Sequence, residues 1–494
     1  MRRIYLYILV VFLSQICFSE LFAEKLPARE IRAVWLTTNW NLDWPSAGQN
    51  AGNQKRELLK ILDQLQQANF NTVLLQVRVR GDVFYKSNIE PWSPFFQKKT
   101  ATGSECAYDP LQFAIDECHK RGLECHAWFV TFPLGSSKQV RAHGKYSIVS
   151  QQPDMCKLYN GEWYLDPGNP KTGEYILSLV DELITAYNID GIHFDYIRYP
   201  ENAAKFPDKD THRKYGKGKK LKEWREDNIT GLVTEIYDLV KLKKPWIQVS
   251  CSPLGRYRSL NPKRGTWAAS ESVHQDAGKW MKMGKIDAIY PMLYYNEILF
   301  NDYVEDWLSM SNGRNVVPGL GAYRLLPKEG NWPLKDIQKQ VDCIRNGEAS
   351  GAAFYRAGNI LDDTKGVMTM LKTNYYKHPA KVPPMTWLRS LKPEPPVNLQ
   401  VYRNKKEGYV TIEWEAPNPS EDLTYTVYEY SADEIDTDEA KSIVMTRIHG
   451  NKIHLNAPPS ERGVYYTVTA TDRYRMESEP APSAYFVLSV MLEK

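Results

Sequence analysis

The chain has 494 residues, enough for about two to four domains. Hydrophobic residues make up 43% and charged residues 25%, values that exclude a generally disordered protein. The formal net charge of +4 is too small to indicate nucleic acid as the main partner. Aromatic residues reach 12%, an excess that raises the question of what these rings contact.

Residues 1–23 have the pattern of a secretory signal peptide. Arg2 and Arg3 supply a positive start, residues 4–18 are mostly apolar, and Ala23 offers a small residue at the cleavage edge. The apolar stretch is shorter than the roughly 20 residues that a membrane span needs, which makes an uncleaved anchor the less favoured alternative. We therefore expect an exported protein of the periplasm or cell envelope. Lipoprotein anchoring is less favoured, and no membrane span is expected after cleavage.

Between residues 24 and 378, short apolar runs alternate with amphipathic helical segments. Near-continuous apolar strands separated by helices predict a parallel sheet that is covered on both faces. Eight such units predict a (β/α)8 TIM barrel. A doubly wound open sheet is the alternative, but no Gly-x-Gly-x-x-Gly follows the first strand. The predicted strands are 31–36, 72–77, 124–130, 191–195, 247–252, 288–293, 316–320 and 351–355.

The pattern changes at two proline-rich stretches, from which we predict a linker over residues 379–392. Beyond it, apolar residues alternate with a period of two, as half-buried strands do. About a hundred residues of such short strands predict a small all-β, immunoglobulin-like sandwich. The segment 393–494 resembles a fibronectin type III domain, in features that include Trp414 in its second strand and Tyr466 near its end.

Asp195 is the residue that best fits a catalytic role. Residues two apart on a strand point to the same side, so His193 and Asp195 both face the predicted barrel axis. Asp195 is then at the carboxyl end of its strand, where barrels hold their catalytic groups. A carboxylate there can act as a nucleophile, as a general base, or as a charge that stabilises an oxocarbenium-like centre. The alternative is a structural ion pair with Arg198 or Arg78. Asp190, at the amino end of the strand, is interpreted as structural.

Other predicted strand ends converge on the same place. They carry aromatic rings, guanidinium groups and amides, which suit a carbohydrate with its apolar ring faces and many hydroxyl groups. Each aromatic residue taken alone fits a core position better than a ligand platform, and it is their joint placement that predicts a site. The candidate substrate-binding residues are Arg78, His126, Trp128, Asp166, His193, Arg198, Tyr290, Tyr294, Asn296 and Tyr355.

Four motifs stand out along the predicted barrel: REIRAVWLT at 29–37, LDPGNP at 165–170, DGIHFDYIRYP at 190–200 and DAIYPMLY at 287–294. Together they resemble the glycosyl hydrolase-like 10 family, whose members are exported bacterial barrel proteins of the glycoside hydrolase kind. The match spans about residues 27–375. The resemblance implies a glycosidase of the cell envelope, with peptidoglycan glycan strands as the best-supported substrate class.

Departures from other barrel glycosidases leave the general acid open. Family 18 chitinases end strand four with Asp-Gly-x-Asp-x-Asp-x-Glu, whereas here the middle aspartate is His193 and the glutamate is Ile197. Family 13 has its nucleophile at the position of Asp195, but its acid is a Glu that ends strand five, and here that strand ends in Ser-Cys-Ser-Pro. Glu297, directly after strand six, is our first candidate for the acid. Glu162 and Asp166 follow, and then Asp82.

The sequence predicts a glycoside hydrolase that acts on a polysaccharide or oligosaccharide, with Asp195 and Glu297 as its catalytic carboxylates. A non-catalytic glycan-binding barrel is the second hypothesis, because no obvious acid completes the pair. A metal-dependent deacetylase is a third and weaker one, since the 9 His residues show no cluster with ligand spacing. We expect no metal or organic cofactor and no nucleic-acid partner. Protein partners are not indicated.

Overall fold

The computed structural model describes residues 26–261, 267–296, 299–403, 408–418, 422–432, 435–456 and 463–487. The predicted signal peptide and Glu297 lie outside the described residues. Within the described part of the chain, no helix is both long and apolar enough to cross a membrane.

The first part of the chain forms a curved sheet of parallel strands. Each strand lies beside its neighbours in chain order, and the last lies beside the first, which an open doubly wound sheet would not allow. The predicted alternation of strands and helices is confirmed, and the sheet is TIM-barrel-like. The strands are β1 (Ile31–Leu36), β2 (Thr72–Arg78), β3 (Glu124–Val130), β4 (Gly191–Asp195), β5 (Gln248–Cys251), β6 (Ala288–Ile289), β7 (Asn315–Val316 and Gly319–Gly321) and β8 (Gly351–Tyr355).

Strand β7 is split, and its two segments lie at opposite ends of the sheet. The first segment pairs with β6 and the second with β8, while Gly319 also donates to the carbonyl of Pro291. The predicted strand 288–293 is therefore too long, and the predicted strand 316–320 is interrupted at residues 317–318. Pro291 and Pro318 explain the difference, because proline has no N–H to donate to the ladder.

Helices cover the outside of the sheet. Their starts follow the expected chemistry: Asp109 and Asn169 each accept a backbone N–H at the first turn, and Pro110 and Pro170 occupy the position where a missing N–H costs nothing. The helices are Ala51–Gln67, Pro110–Lys120, Ser137–His143, Ile148–Gln151, Pro170–Ala186, Lys209–Tyr215, Leu221–Lys243, Ala269–Ser272, Ala277–Lys282, Phe300–Leu308, Leu334–Asn346, Ala357–Leu361 and Val367–Met370.

The long segment after β3 folds into a structure of its own. It forms a small antiparallel sheet of Pro133–Ser136, Glu162–Leu165 and Cys156–Tyr159, with Glu162–Leu165 in the middle. This hairpin sheet stands at the carboxyl ends of the parallel strands, because it follows Val130 after only two residues. It is therefore placed to form a wall of any site there.

The C-terminal part is all-β, as predicted. Two antiparallel sheets, β9-β10-β13 and β12-β11-β14-β15, enclose a core that includes Trp414, Val427 and Val468. The identity of this region as a fibronectin type III domain stays a prediction. Its strands are β9 (Val397–Arg403), β10 (Tyr409–Glu415), β11 (Thr424–Tyr430), β12 (Ile443–Ile448), β13 (Lys452–Asn456), β14 (Val464–Thr471) and β15 (Ala484–Phe486).

Two arginines from this β region reach the amino ends of β3 and β4. Arg475 forms two hydrogen bonds with Glu124, at 2.6 and 2.7 Å, and Arg447 bonds both Glu124, at 3.1 Å, and Asp190, at 2.7 Å. Burial alone would raise the pKa of Glu124, but the two guanidinium charges outweigh it and lower the pKa to about 2. The segment predicted as a linker is packed as well, since Lys381 pairs with Glu477 at 2.7 Å.

Candidate active site

A cavity of about 310 Å³ opens at the carboxyl ends of the parallel strands. This volume falls at the lower end of the range usual for small-molecule sites, about 300–1,000 Å³. Most of its wall comes from residues at or just beyond the ends of the strands, together with Pro133 of the hairpin sheet. The site residues that the sequence predicts in this wall are Trp128, Asp195, Tyr294 and Tyr355.

Asp195 is held by N–H donors rather than by an ion pair within the described residues. The backbone N–H of Tyr196 donates to Oδ1 at 2.7 Å, and the indole Nε1–H of Trp128 donates to Oδ2 at 3.2 Å. The side chain is almost buried, at 6% exposure for the residue, yet it lines the cavity. Burial raises the pKa of Asp195, and the positive charge of Arg198 works against that rise. The structure thus fixes both oxygens of a carboxylate that faces open space.

Arg198 and Arg78, the alternative partners of Asp195, are engaged elsewhere. The Arg198 guanidinium lies 4.7 Å above the ring of Tyr196, next to the cavity. Arg78 is fully buried and does not reach the cavity. It forms a two-pronged pair with Glu90, at 2.6 and 2.8 Å, and also donates to the carbonyl of Thr131.

The register between β2 and β3 shifts between Gln76 and Arg78, so simple alternation misplaces Arg78. The prediction that it contacts substrate is therefore corrected: Arg78 anchors the end of β3. Gln76, on the other side of the shift, lines the cavity instead.

His193 lies beneath the cavity rather than in it. Indole N–H can only donate, so the 3.2 Å contact of Trp35 Nε1 with His193 Nε2 makes Nε2 an acceptor. The proton then sits on Nδ1, which donates to the hydroxyl of Ser250 at 2.9 Å. Burial keeps the imidazole neutral, because it lowers its pKa well below the ordinary value. His193 fixes the orientation of Trp35, which does line the cavity.

Three further predicted substrate contacts are also buried away from the cavity and are corrected here. Tyr290 packs edge-on against His193 inside the curved parallel sheet, with ring centroids 5.0 Å apart. His126 bonds Glu124 at 2.8 Å near the amino end of β3. Asp166 accepts hydrogen bonds from the N–H of Gly168 and from the hydroxyl of Thr211, which makes it a turn residue before the next helix. The sequence places these side chains on the correct strands or loops but not at the correct depth.

The loop after β6 is only partly described. Asn296 is exposed and donates to Asp336 at 3.1 Å, outside the cavity wall. Glu297, the first candidate for the acid, lies outside the described residues, so its role stays a prediction.

Tyrosines form one wall of the cavity. The rings of Tyr294 and Tyr355 are stacked, with centroids 5.8 Å apart and an interplanar angle of 27°. Burial raises the pKa of Tyr355 to about 12 and that of Tyr294 well above its ordinary value. Both phenols therefore keep their protons at neutral pH and can donate to sugar hydroxyls.

Sequence reasoning missed Arg80 and Tyr196, both of which line the cavity. Arg80 forms an ion pair with Glu162 at 2.8 Å. Tyr196 has a positive φ of 50°, an uncommon conformation for a bulky residue, and it is 39% exposed. The only sequence feature that could have indicated these residues is their position one or two places beyond a strand end. In the described residues, no group of three or more His, Cys, Asp and Glu is placed to hold a metal.

Comparison with known proteins places these features in a family. The model of the family described as glycosyl hydrolase-like 10 matches residues 30–321. Glycosyl hydrolase YngK of Bacillus subtilis is 30% identical over 481 residues, which cover 91% of this chain and 92% of YngK. Glycosyl hydrolase DigH of Escherichia coli K12 is 34% identical over 293 residues, covering 54% of this chain and 66% of DigH.

Among solved structures, the glycoside hydrolase domain of PgaB from Bordetella bronchiseptica covers 70% of this chain and 98% of that domain, at 14% identity and a TM-score of 0.45. That likeness is too low to add to the argument. The family match, which covers more than half of the chain, and the near full-length similarity to YngK are sufficient. This chain belongs to the glycosyl hydrolase-like 10 family.

Proposed function

We propose that this protein is an exported glycoside hydrolase that cleaves glycosidic bonds in a cell-envelope polysaccharide. The observation that carries the proposal is the setting of Asp195: a carboxylate with both oxygens fixed by N–H donors, in the wall of an aromatic-lined cavity at the strand ends. Sugar rings offer apolar faces to such aromatics and hydroxyl groups to the tyrosines. The names of YngK and DigH as glycosyl hydrolases support the same reaction class.

In this proposal Asp195 acts at the anomeric carbon. The transition state of glycoside hydrolysis carries positive charge at that carbon, and a fixed carboxylate stabilises it, attacks it, or activates the water that does. Trp128 and the N–H of Tyr196 hold the carboxylate without neutralising it, since neither carries a charge. A second carboxylate is needed to protonate the leaving oxygen.

Peptidoglycan glycan strands are the substrate that we propose. The resemblance in the four sequence motifs supports this class, and the pattern of residues 1–23 supports export to the compartment that contains it. In the same proposal the parallel sheet is a closed (β/α)8 barrel, and residues 393–494 are a fibronectin type III module. No cofactor is assigned a role.

The test compares the purified protein with its Asp195→Asn variant on peptide-free glycan strands, by following new reducing ends. We expect the variant to lose activity by at least about 100-fold. Asp210→Asn is the control, because Asp210 is exposed in a surface pair with Arg213, and this variant should keep full activity. Circular dichroism of all three proteins checks the fold. Equal activity of the Asp195 variant and the wild type would disprove the role of Asp195.

One observation favours a non-catalytic glycan-binding protein as the second candidate. Asp195 is the only carboxylate among the described residues that line the cavity. A binding protein would hold the strands without releasing reducing ends, and Asp195→Asn would bind them equally well. Co-sedimentation of the protein with insoluble strands, measured beside the activity assay, separates the two functions.

A further inference from the structure

The hairpin sheet after β3 brings a second carboxylate to the rim of the cavity. Its first strand begins at Pro133, which lines the cavity, and Ser136 at the other end of that strand lies opposite Glu162. Arg80, also in the cavity wall, donates from Nη1 to Glu162 Oε1 at 2.8 Å. Glu162 is therefore one side chain away from the open space that Asp195 faces.

Arg80 shares the wall of the cavity with Tyr196 and Asp195. Burial raises the pKa of Tyr196, the Asp195 carboxylate raises it further, and Arg198 and Arg80 oppose the rise. Asp195 and Arg80 thus both act on the exposed ring of Tyr196. The hydroxyl of Tyr164 donates to the other oxygen of Glu162, Oε2, at 3.3 Å. Arg80 thus links Glu162 to the cavity wall that also contains Tyr196 and Asp195.

Four other described carboxylates near the strand ends are committed to structural contacts. Asp43 is buried and bonded by Arg356 and by the N–H groups of Thr37 and Gly358. Asp82 pairs with His143 in the interior. Glu90 is held by Arg78, and Asp166 by Thr211 and Gly168. The side chain of Glu162, by contrast, keeps 37% of its surface exposed.

The Arg80–Glu162 pair can open when a glycan enters. The Arg80 side chain is 24% exposed and that of Glu162 37%, so water screens their attraction. Partly exposed pairs of this kind contribute little to stability, no more than one or two new hydrogen bonds to a sugar supply. Substrate hydroxyls can therefore take over the hydrogen bond of Arg80 and release the Glu162 carboxyl group.

We propose that Glu162 is the second catalytic carboxylate and donates a proton to the glycosidic oxygen; this inference rests on the proposed hydrolase function. As the C–O bond breaks, its electron pair stays on the oxygen, which takes the proton from Glu162 and leaves as an alcohol. Water then adds its hydroxyl to the anomeric carbon, and its proton restores the protonated Glu162, directly or through solvent. One water is consumed for each bond cleaved.

The test uses leaving groups that differ in their need for a proton. When a glycan strand is cleaved, the leaving group is a sugar alkoxide unless it is protonated. A 4-nitrophenyl glycoside of the same sugar releases 4-nitrophenolate, which is stable without a proton. Glu162→Gln should lose about 10²–10⁴-fold on glycan strands but less than about tenfold on the nitrophenyl glycoside. The pH–rate profile of Glu162→Gln on the nitrophenyl substrate should also lack the fall at high pH that marks loss of the acid's proton. Asp195→Asn should lose activity on both substrates.

Glu201→Gln is the matched control, since Glu201 is exposed and also acts on Tyr196 but does not line the cavity. It should behave like the wild type. Full activity of Glu162→Gln on strands, or equal losses on both substrates, would overturn the proposal. The proposal would also be overturned if Glu297→Gln, and not Glu162→Gln, lost activity on glycan strands but kept it on the nitrophenyl glycoside. A wild type that cleaves neither substrate would refute the proposed hydrolase as well, so the two failures are distinguishable.

Discussion

The two ends of strands β3 and β4 hold carboxylates in contrasting surroundings. At the amino ends, Glu124 and Asp190 are bonded by Arg447, and Arg475 adds two bonds to Glu124. At the carboxyl end of β4, Asp195 has two uncharged N–H donors and faces a cavity. These ion pairs join the parallel sheet to the C-terminal β region. We call the contact of Glu124 and Asp190 with Arg447 and Arg475 the joint. The absence of a bound counter-charge in the described residues leaves Asp195 free to act on a substrate.

The joint should be the more costly end to break. Arg475→Met removes both close bonds to Glu124 and leaves that carboxylate with less compensation, so the free energy of unfolding should fall by about 3–5 kcal/mol. Chemical denaturation at pH 7 measures it. Arg213→Met is the control, since that side chain is 81% exposed in its pair, and a loss of at most about 0.5 kcal/mol is expected. Equal free energies of unfolding for the two variants would show that the bonds between Arg475 and Glu124 do not stabilise the fold.

Acid should weaken the joint before it affects the rest of the core. The pKa of Glu124 falls from its ordinary value of about 4.3 to about 2 in the folded protein, which corresponds to a stabilisation on the order of 3 kcal/mol at neutral pH. Because the folded-state pKa is the lower one, this stability is complete above about pH 5 and is lost as the pH falls towards 2. The unfolding free energy of Glu124→Gln should therefore depend less on pH between 5 and 3 than that of the wild type. Parallel curves for the two proteins would contradict the assignment.

At the carboxyl end of β4, the next prediction concerns the indole N–H that Trp128 donates to Asp195. Trp128→Phe keeps an aromatic ring but removes the N–H that bonds Oδ2, so kcat/KM should fall by about tenfold. Loss of a donor to the charged form raises the pKa of Asp195, and the acid limb of the pH–rate profile should move to higher pH. Trp92→Phe removes an indole N–H that bonds Ser104, away from the cavity, and should leave the profile in place. An unshifted limb in Trp128→Phe would exclude the bond as a determinant of the Asp195 pKa.

The smallest effect is expected at the rim. Trp40 is 61% exposed, stands between Asn39 and Leu42 of the cavity wall, and has a positive φ of 56°. Trp40→Ala should weaken binding of long glycan strands a few-fold and change the free energy of unfolding by at most about 0.5 kcal/mol. Trp40→Tyr should restore binding, because it returns an aromatic face. Co-sedimentation with strands measures both variants, and unchanged binding by Trp40→Ala would exclude this ring from the site.

The sequence located the strands well because buried parallel strands are almost continuously apolar, and this pattern is local. It also oriented Asp195 correctly, since alternation along β4 is undisturbed. It failed for Arg78, where a register shift interrupts the alternation, and for β6 and β7, which end or break at prolines. A period of two does not encode depth along a strand. The sequence therefore predicts His193 and Tyr290 in the cavity, whereas the structure places them beneath it.

Arg80 and Glu162 show a different limit. Their pairing joins the loop after β2 to the hairpin sheet after β3, residues 82 positions apart. No local pattern records such a contact, because it depends on how two irregular segments meet above the sheet. Glu162 could be named only as one of several acidic residues in the correct loop. The folded arrangement is what distinguishes it from Asp166, four residues later and fully buried.

The arginine joint also sets an order of events during biosynthesis. Glu124 and Asp190 emerge from the ribosome early, but their partners follow 257 to 351 residues later in the chain. Until Arg447 and Arg475 are synthesised, the amino ends of the parallel strands contain two acidic groups whose arginine partners do not yet exist. Complete burial of these ends has to wait for the end of translation. The amino ends of the parallel strands are therefore the last part of this region to reach their final packing.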